Sequence, residues 1–159
     1  MNTLKADMAE IVPVIKEAVD GGGVFTLGVT GNSMCPLFWE DRDSVILSKP
    51  ENIKKFDIIL YKRSNGHYVL HRIVKIKNNV YSLCGDNQNA VECPIHPDQV
   101  IAKVTGFIRK GKARKTSNFI YKLYVFIWGH TLKMRKFMMF SYFYISTRIK
   151  RIINFFKKH

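Results

Sequence analysis

Residues 56–77, FDIILYKRSNGHYVLHRIVKIK, decide the fold. Phe56 to Arg63 and His67 to Lys77 are rich in β-branched and aromatic residues, and Ser64-Asn65-Gly66 separates them. Asn-Gly between two such runs is the strongest short-range hairpin signal, because both residues accept the backbone angles of a tight reversal. Asn78-Asn79 turns the second strand into Val80 to Cys84, and Gly85-Asp86-Asn87 breaks that strand sharply. On the other side, the polar turn Glu40-Asp41-Arg42-Asp43 feeds Ser44 to Ser48, whose Val45-Ile46-Leu47 run suits a buried strand. Val24 to Val29 and Val100 to Lys110 read as the first and last strands. Short strands at close spacing without alternating helices predict a mainly β, antiparallel, barrel-like domain over residues 22–111.

Helical periodicity flanks this domain. Leu4, Met8, Ile11, Val12, Ile15 and Val19 recur on one face, so residues 3–20 read as an amphipathic helix, stopped by Gly21-Gly22-Gly23. That segment, residues 1–21, is expected to dock on the domain's own core. Lys5, Asp7, Glu10, Lys16, Glu17 and Asp20 interrupt it, which excludes a signal-peptide core or a spanning helix there. The basic run Gly111 to Thr116 reads as a loop and boundary. Beyond it, residues 112–159 form a basic, aromatic tail with helical patterns at 118–132 and 134–156. Its longest uncharged windows, Leu123 to Leu132 and Phe137 to Thr147, fall short of the ~20 apolar residues of a spanning helix. Aromatics and methionines beside Lys133, Arg135, Lys136, Arg148, Lys150 and Arg151 suit helices lying in a bilayer interface. The plainer alternative is a helical pair packed on the β domain with a solvated basic face.

The formal charge of +14 is concentrated in that tail. Residues 1–100 hold 11 Lys or Arg against 12 Asp or Glu, whereas residues 101–159 hold 15 against none. A near-neutral body with a wholly basic tail predicts contact with an anionic surface through residues 118–159. Nucleic acid is the weaker choice of surface, since residues 1–20 are too short for a helix-turn-helix. Three cysteines, Cys35, Cys84 and Cys93, make an odd count that argues against a disulfide framework and for reduced, cytoplasmic thiols. Cys84, Cys93 and His96 match no common zinc spacing, and no metal or cofactor is expected.

One turn carries nucleophile chemistry. In Thr30-Gly31-Asn32-Ser33-Met34-Cys35-Pro36, Gly31 and Asn32 tolerate unusual backbone angles and Pro36 fixes the exit. Such a turn presents the Ser33 hydroxyl, although a turn serine more often caps its own backbone. A serine needs a base. His71 is the best placed histidine, mid-strand on one face with Val69 and Ile73 while Arg72 faces the other way. His67 reads as exposed, His96 as structural between two prolines, and His130 as part of the tail. A carboxylate to orient the imidazole would come from Asp86, whose ordinary role would be an Asx-turn, or from Glu92 six residues later.

Together these residues resemble a known family. Gly31-Asn32-Ser33-Met34-Cys35-Pro36, Asp43-Ser44-Val45, Phe56-Asp57-Ile58-Ile59-Leu60-Tyr61, His71-Arg72-Ile73, Gly85-Asp86-Asn87 and Val104-Thr105-Gly106 look like the ordered boxes of type I signal peptidases and the wider LexA-like serine peptidase superfamily. The resemblance implies a coiled, largely antiparallel β domain. His71 stands where bacterial-type enzymes carry a lysine, so the resemblance is to the archaeal and endoplasmic-reticulum Ser-His branch. It implies Ser33 as nucleophile, His71 as base and then acid, and the Ser33 backbone N–H as an oxyanion donor. Three departures stand out. Glu92 replaces the branch's aspartate, leaving the supporting acid between Asp86 and Glu92. Gly31 lacks the hydroxyl often found two residues before the serine, so Thr30 or a backbone donor would substitute. No N-terminal membrane anchor is expected. The implied activity is therefore serine endopeptidase cleavage of a leader, signal or precursor peptide at the cytoplasmic membrane surface. A catalytically idle peptide-binding module of the same fold is the alternative.

Overall fold

The computed structural model describes residues 7–130, together with residues 141, 144, 145, 148 and 149. The first element, α1 (Met8–Asp20), starts at Asp7, whose Oδ1 accepts the Ala9 amide at 3.0 Å. Positions 3–6 of the expected helix lie outside the described residues. Its apolar stripe buries Val12, Ile15 and Val19, and each such burial contributes about 1.5–3 kcal/mol.

Eight strands follow: β1 (Phe25–Gly28), β2 (Ser44–Ser48), β3 (Ile58–Lys62), β4 (Tyr68–Lys77), β5 (Val80–Cys84), β6 (Glu92–Ile95), β7 (Val100–Arg109) and β8 (Lys112–Lys115). All their pairings are antiparallel, in the order β1-β2-β7-β3-β4-β5-β6, with β8 added beside β7. The hairpin predicted over 56–77 is β3–β4, in register from Ile58↔Arg72 to Lys62↔Tyr68, with Gly66 at φ +87° in its turn.

Two strands were not expected. β6 contains Pro94 and meets β5 only at Tyr81↔Ile95 and Leu83↔Glu92, so its sequence lacks strand alternation. The run 111–116, read as a loop, is instead a hairpin arm. Lys110 and Gly111 both take positive φ, +51° and +75°, and close a two-residue turn that sets Arg109 opposite Lys112. Every residue of β8 is exposed, so no apolar pattern marks it.

The core lies on both faces of the sheet. Ile58 and Leu60 of β3 join α1, Met34, Phe38, Val45, Leu47 and Phe107 on one face. Ile59 and Tyr61 join Ile73, Tyr81, Leu83 and Ile95 on the other. This is why β3 reads as a continuous apolar run rather than an alternating one.

The chain then enters α2 (Phe119–His130), where the tail's first helical pattern was expected. Asn118 caps it by accepting the Ile120 amide at 2.9 Å. Tyr121 and Trp128 are buried against the β domain, and the Tyr121 ring lies 5.7 Å from that of Phe107. Gly129 passes so close to Phe56 that a Cβ there would lie 2.5 Å from its ring. The second pattern, 134–156, falls outside the described residues except at 141, 144, 145, 148 and 149, which are helical. No described helix is long and apolar enough to cross a membrane.

Candidate active site

Ser33 sits in a hydrogen-bonded turn that follows β1. Gly31 takes φ +76°, the Cys35 amide reaches Asn32 O at 3.2 Å, and the Phe38 amide reaches Met34 O at 3.0 Å. Met34, Cys35, Leu37 and Phe38 are buried, so the turn is nailed to the core while Ser33 stays half-buried at its rim. Buried Asp43 closes the loop: its carbonyl accepts the Val29 amide, and its carboxylate accepts the Trp39 amide and the Arg42 guanidinium. Burial opposes ionisation of Asp43, but Arg42 and the Trp39 amide outweigh it and lower the pKa.

The Gly85-Asp86-Asn87 turn holds the serine from behind. The Asn87 amide donates to Ser33 O at 2.8 Å, and Asn87 Nδ2 donates to Asn32 O at 3.2 Å. A Cβ on Gly85 would lie 2.6 Å from Ser33 O, which is why glycine stands there. Cys35 is ill placed for nucleophile chemistry, since its buried thiol is directed at Phe38 O, and burial raises its pKa.

His71 is buried in β4, paired opposite Ile59 and on the face that carries Ile73. Its Nδ1 lies 3.2 Å from Glu92 Oε1 and 3.3 Å from the Tyr61 hydroxyl. Tyr61 in turn donates to Glu92 Oε2 at 2.7 Å, and Arg63 grips both Glu92 oxygens through Nε and Nη2. Burial pulls the His71 pKa below its ordinary value, with Glu92 opposing, so the imidazole is neutral at pH 7. Glu92 stays ionised: burial acts against it, but hydrogen bonds from Arg63 and Tyr61 hold its pKa down. With Nδ1–H donated to Glu92, Nε2 is the basic nitrogen.

Asp86 is not at the imidazole nitrogen. It forms a fully buried, bidentate pair with Arg72, Nε to Oδ1 at 2.8 Å and Nη2 to Oδ2 at 2.7 Å. Tyr124 donates to Oδ2 at 2.9 Å, and the Trp128 indole donates to Asp86 O at 3.0 Å. Arg72 Nη1 also donates to Phe56 O and to the Tyr121 hydroxyl. Of the two candidate acids, the geometry thus gives Glu92 to His71 and Asp86 to Arg72.

Ser33, Thr30 and His71 line one cavity of about 1200 Å³, bounded by the start of α1, β1 and the first residues of β4. Leu27, Met34, Leu60 and Leu70 give it apolar walls. His67 is exposed at its edge, and His96 lies beside the short helical turn Pro97–Gln99, away from that cavity. The His130 side chain lies outside the described residues. Tyr61 and Arg63 are the site residues that sequence reasoning missed. Their only trace is the period-two spacing Ile59, Tyr61, Arg63, which starts in β3 opposite His71 and runs one residue past the strand's end.

A turn serine and a strand histidine opening onto one cavity of an antiparallel β domain define a serine-peptidase-type fold. The chain belongs to the Peptidase S24-like family, whose sequence model matches residues 3–105, within the signal peptidase/LexA-like superfamily. No curated protein and no solved structure matches the chain.

Proposed function

We propose that this protein is a serine endopeptidase of the Ser-His type that cleaves a leader or precursor peptide. Ser33 Oγ attacks the scissile carbonyl as His71 Nε2 takes its proton; His71 returns the proton to the leaving amine. Water, deprotonated by His71, then hydrolyses the Ser33 acyl ester and restores the hydroxyl. Glu92 fixes the imidazole tautomer and stabilises the imidazolium, with Tyr61 and Arg63 holding the carboxylate in place. The Ser33 backbone N–H is one oxyanion donor, and Thr30, at the same cavity, is the candidate for the second. The observation that carries this reading is Glu92 Oε1 at 3.2 Å behind the Nδ1 of a histidine that shares a cavity with Ser33.

The substrate is a peptide lying along the open side of β1, which among the described residues pairs only with β2. Apolar walls favour small or aliphatic side chains beside the cut. Incubating the purified protein with a library of precursor-like peptides tests this. Cleavage is expected from the wild type and from neither Ser33→Ala nor His71→Gln. Equal turnover by Ser33→Ala overturns the reading, and peptide binding without turnover in any variant assigns the protein as an idle binding module. The expected setting at an anionic membrane rests on a separate surface.

A further inference from the structure

A second cavity, of about 420 Å³, opens between the β7–β8 hairpin and the start of α2. Arg109, Lys110, Lys112 and Arg114 line it, over a floor that includes Phe107 and Tyr121. Among the described residues none of these four cations is in an ion pair. The nearby acid is Asp43, which receives the Lys110 backbone amide but whose charge is already bound to Arg42.

The first half of α2 borders this cavity, and apart from Lys122 its exposed side chains are apolar. Its inner side seats Tyr121 on the core, yet Phe119 is 78% exposed, Ile120 62% and Leu123 48%. Three large apolar side chains exposed together beside Lys122 call for a second apolar phase with room for a cation at its edge. The cations beside it, in a stretch where residues 101–159 carry no acid, restrict that phase to one bearing negative charge.

We infer that the β7–β8 hairpin and the start of α2 form a docking site for an anionic lipid bilayer, with lipid phosphate groups in the basic cavity and Phe119, Ile120 and Leu123 among the acyl chains. The site is distinct from the Ser33 cavity and does not rest on the peptidase reading. It narrows the expected contact from a general property of residues 118–159 to a surface that includes β8.

Sedimentation of the full-length Ser33→Ala protein with vesicles tests it apart from any peptidase activity. Mixed phosphatidylglycerol–phosphatidylcholine vesicles should retain the protein, and pure phosphatidylcholine vesicles should not. Each Lys or Arg near such a surface strengthens binding by roughly fivefold. Replacing Arg109, Lys110, Lys112 and Arg114 with Gln should therefore weaken retention by roughly six hundredfold, although the rest of the basic tail is intact. Phe119→Ser with Leu123→Ser should weaken it as well, at unchanged helicity. If the fourfold variant does not fold, Lys112→Gln with Arg114→Gln on the exposed β8 carries the test, with a loss of at least about tenfold. Retention unchanged by these substitutions, or equal on neutral vesicles, overturns the inference. So does a dimer that Phe119→Ser with Leu123→Ser dissociates in a protein that binds no vesicles, since a second copy would then cover this face.

Discussion

At the residue scale, the site depends on the charge behind His71. Glu92 is half-buried, yet Arg63 and Tyr61 keep it ionised, so it can orient the imidazole without taking the proton itself. Burial holds the His71 pKa below the ordinary 6.5, and the acid limb of kcat/KM should fall below that pH. Glu92→Gln removes the attraction that opposes burial. It should move the limb to still lower pH and reduce the plateau by about 10²- to 10⁴-fold. A loss of melting temperature with an unchanged pH profile would instead make Glu92 a packing residue. Stability follows the same signs. Both groups have lowered folded values, so the unfolded chain binds more protons as pH drops. The contribution of His71 is complete above 6.5 and that of Glu92 above 4.5, and each is lost as pH falls through its folded value. Ser33 and His71 could be singled out from the sequence because each sits in a short motif, and both line the same cavity. The division of labour between Asp86 and Glu92 was not, because it depends on β6 bringing Glu92 to Tyr61 and Arg63 across 31 and 29 residues of chain.

At the element scale, α2 packs on the β domain as part of its architecture. Tyr121, Tyr124 and Trp128 form its inner side, and all three reach the Arg72–Asp86 pair by hydrogen bonds or ring contacts. That pair is fully buried, so removing one partner strands a charge, at a cost of about 3–5 kcal/mol. Denaturant titration of Asp86→Ala should show a loss of this size, whereas Glu92→Gln, at a half-exposed site, should cost far less. The reverse ranking would return Asp86 to the imidazole. Gly129→Ala probes the docking itself, because its Cβ would meet the Phe56 ring. Faster hydrogen exchange across α2 should result, with a stability loss of about 1–3 kcal/mol. Unchanged exchange would show that Phe56 yields without moving the helix. The helix was legible in the sequence, but its docking was not: tyrosine and tryptophan beside basic residues read equally well as interfacial anchors. β8 escaped for a related reason, since a strand of exposed cations shows neither period two nor burial, and only its turn residues reveal it.

At the scale of the whole molecule, the chain divides its charge by place. The near-neutral part before residue 101 supplies the Ser33 turn, His71 and Glu92, and the basic remainder supplies α2 and the β8 edge. The sheet connects them through β7, which pairs with β2 beyond the serine turn, with the histidine hairpin through β3, and with β8 on the basic side. The overall antiparallel domain was readable because hairpin turns are local signals. The non-sequential order, with β7 inserted between β2 and β3, was not, because no local pattern records which distant strands pair. The most direct test of the account is mass spectrometry of candidate precursor peptides co-expressed with the protein. Wild type should generate new peptide termini that are absent with Ser33→Ala and with His71→Gln. The same termini appearing with Ser33→Ala would contradict a serine peptidase centred on this turn.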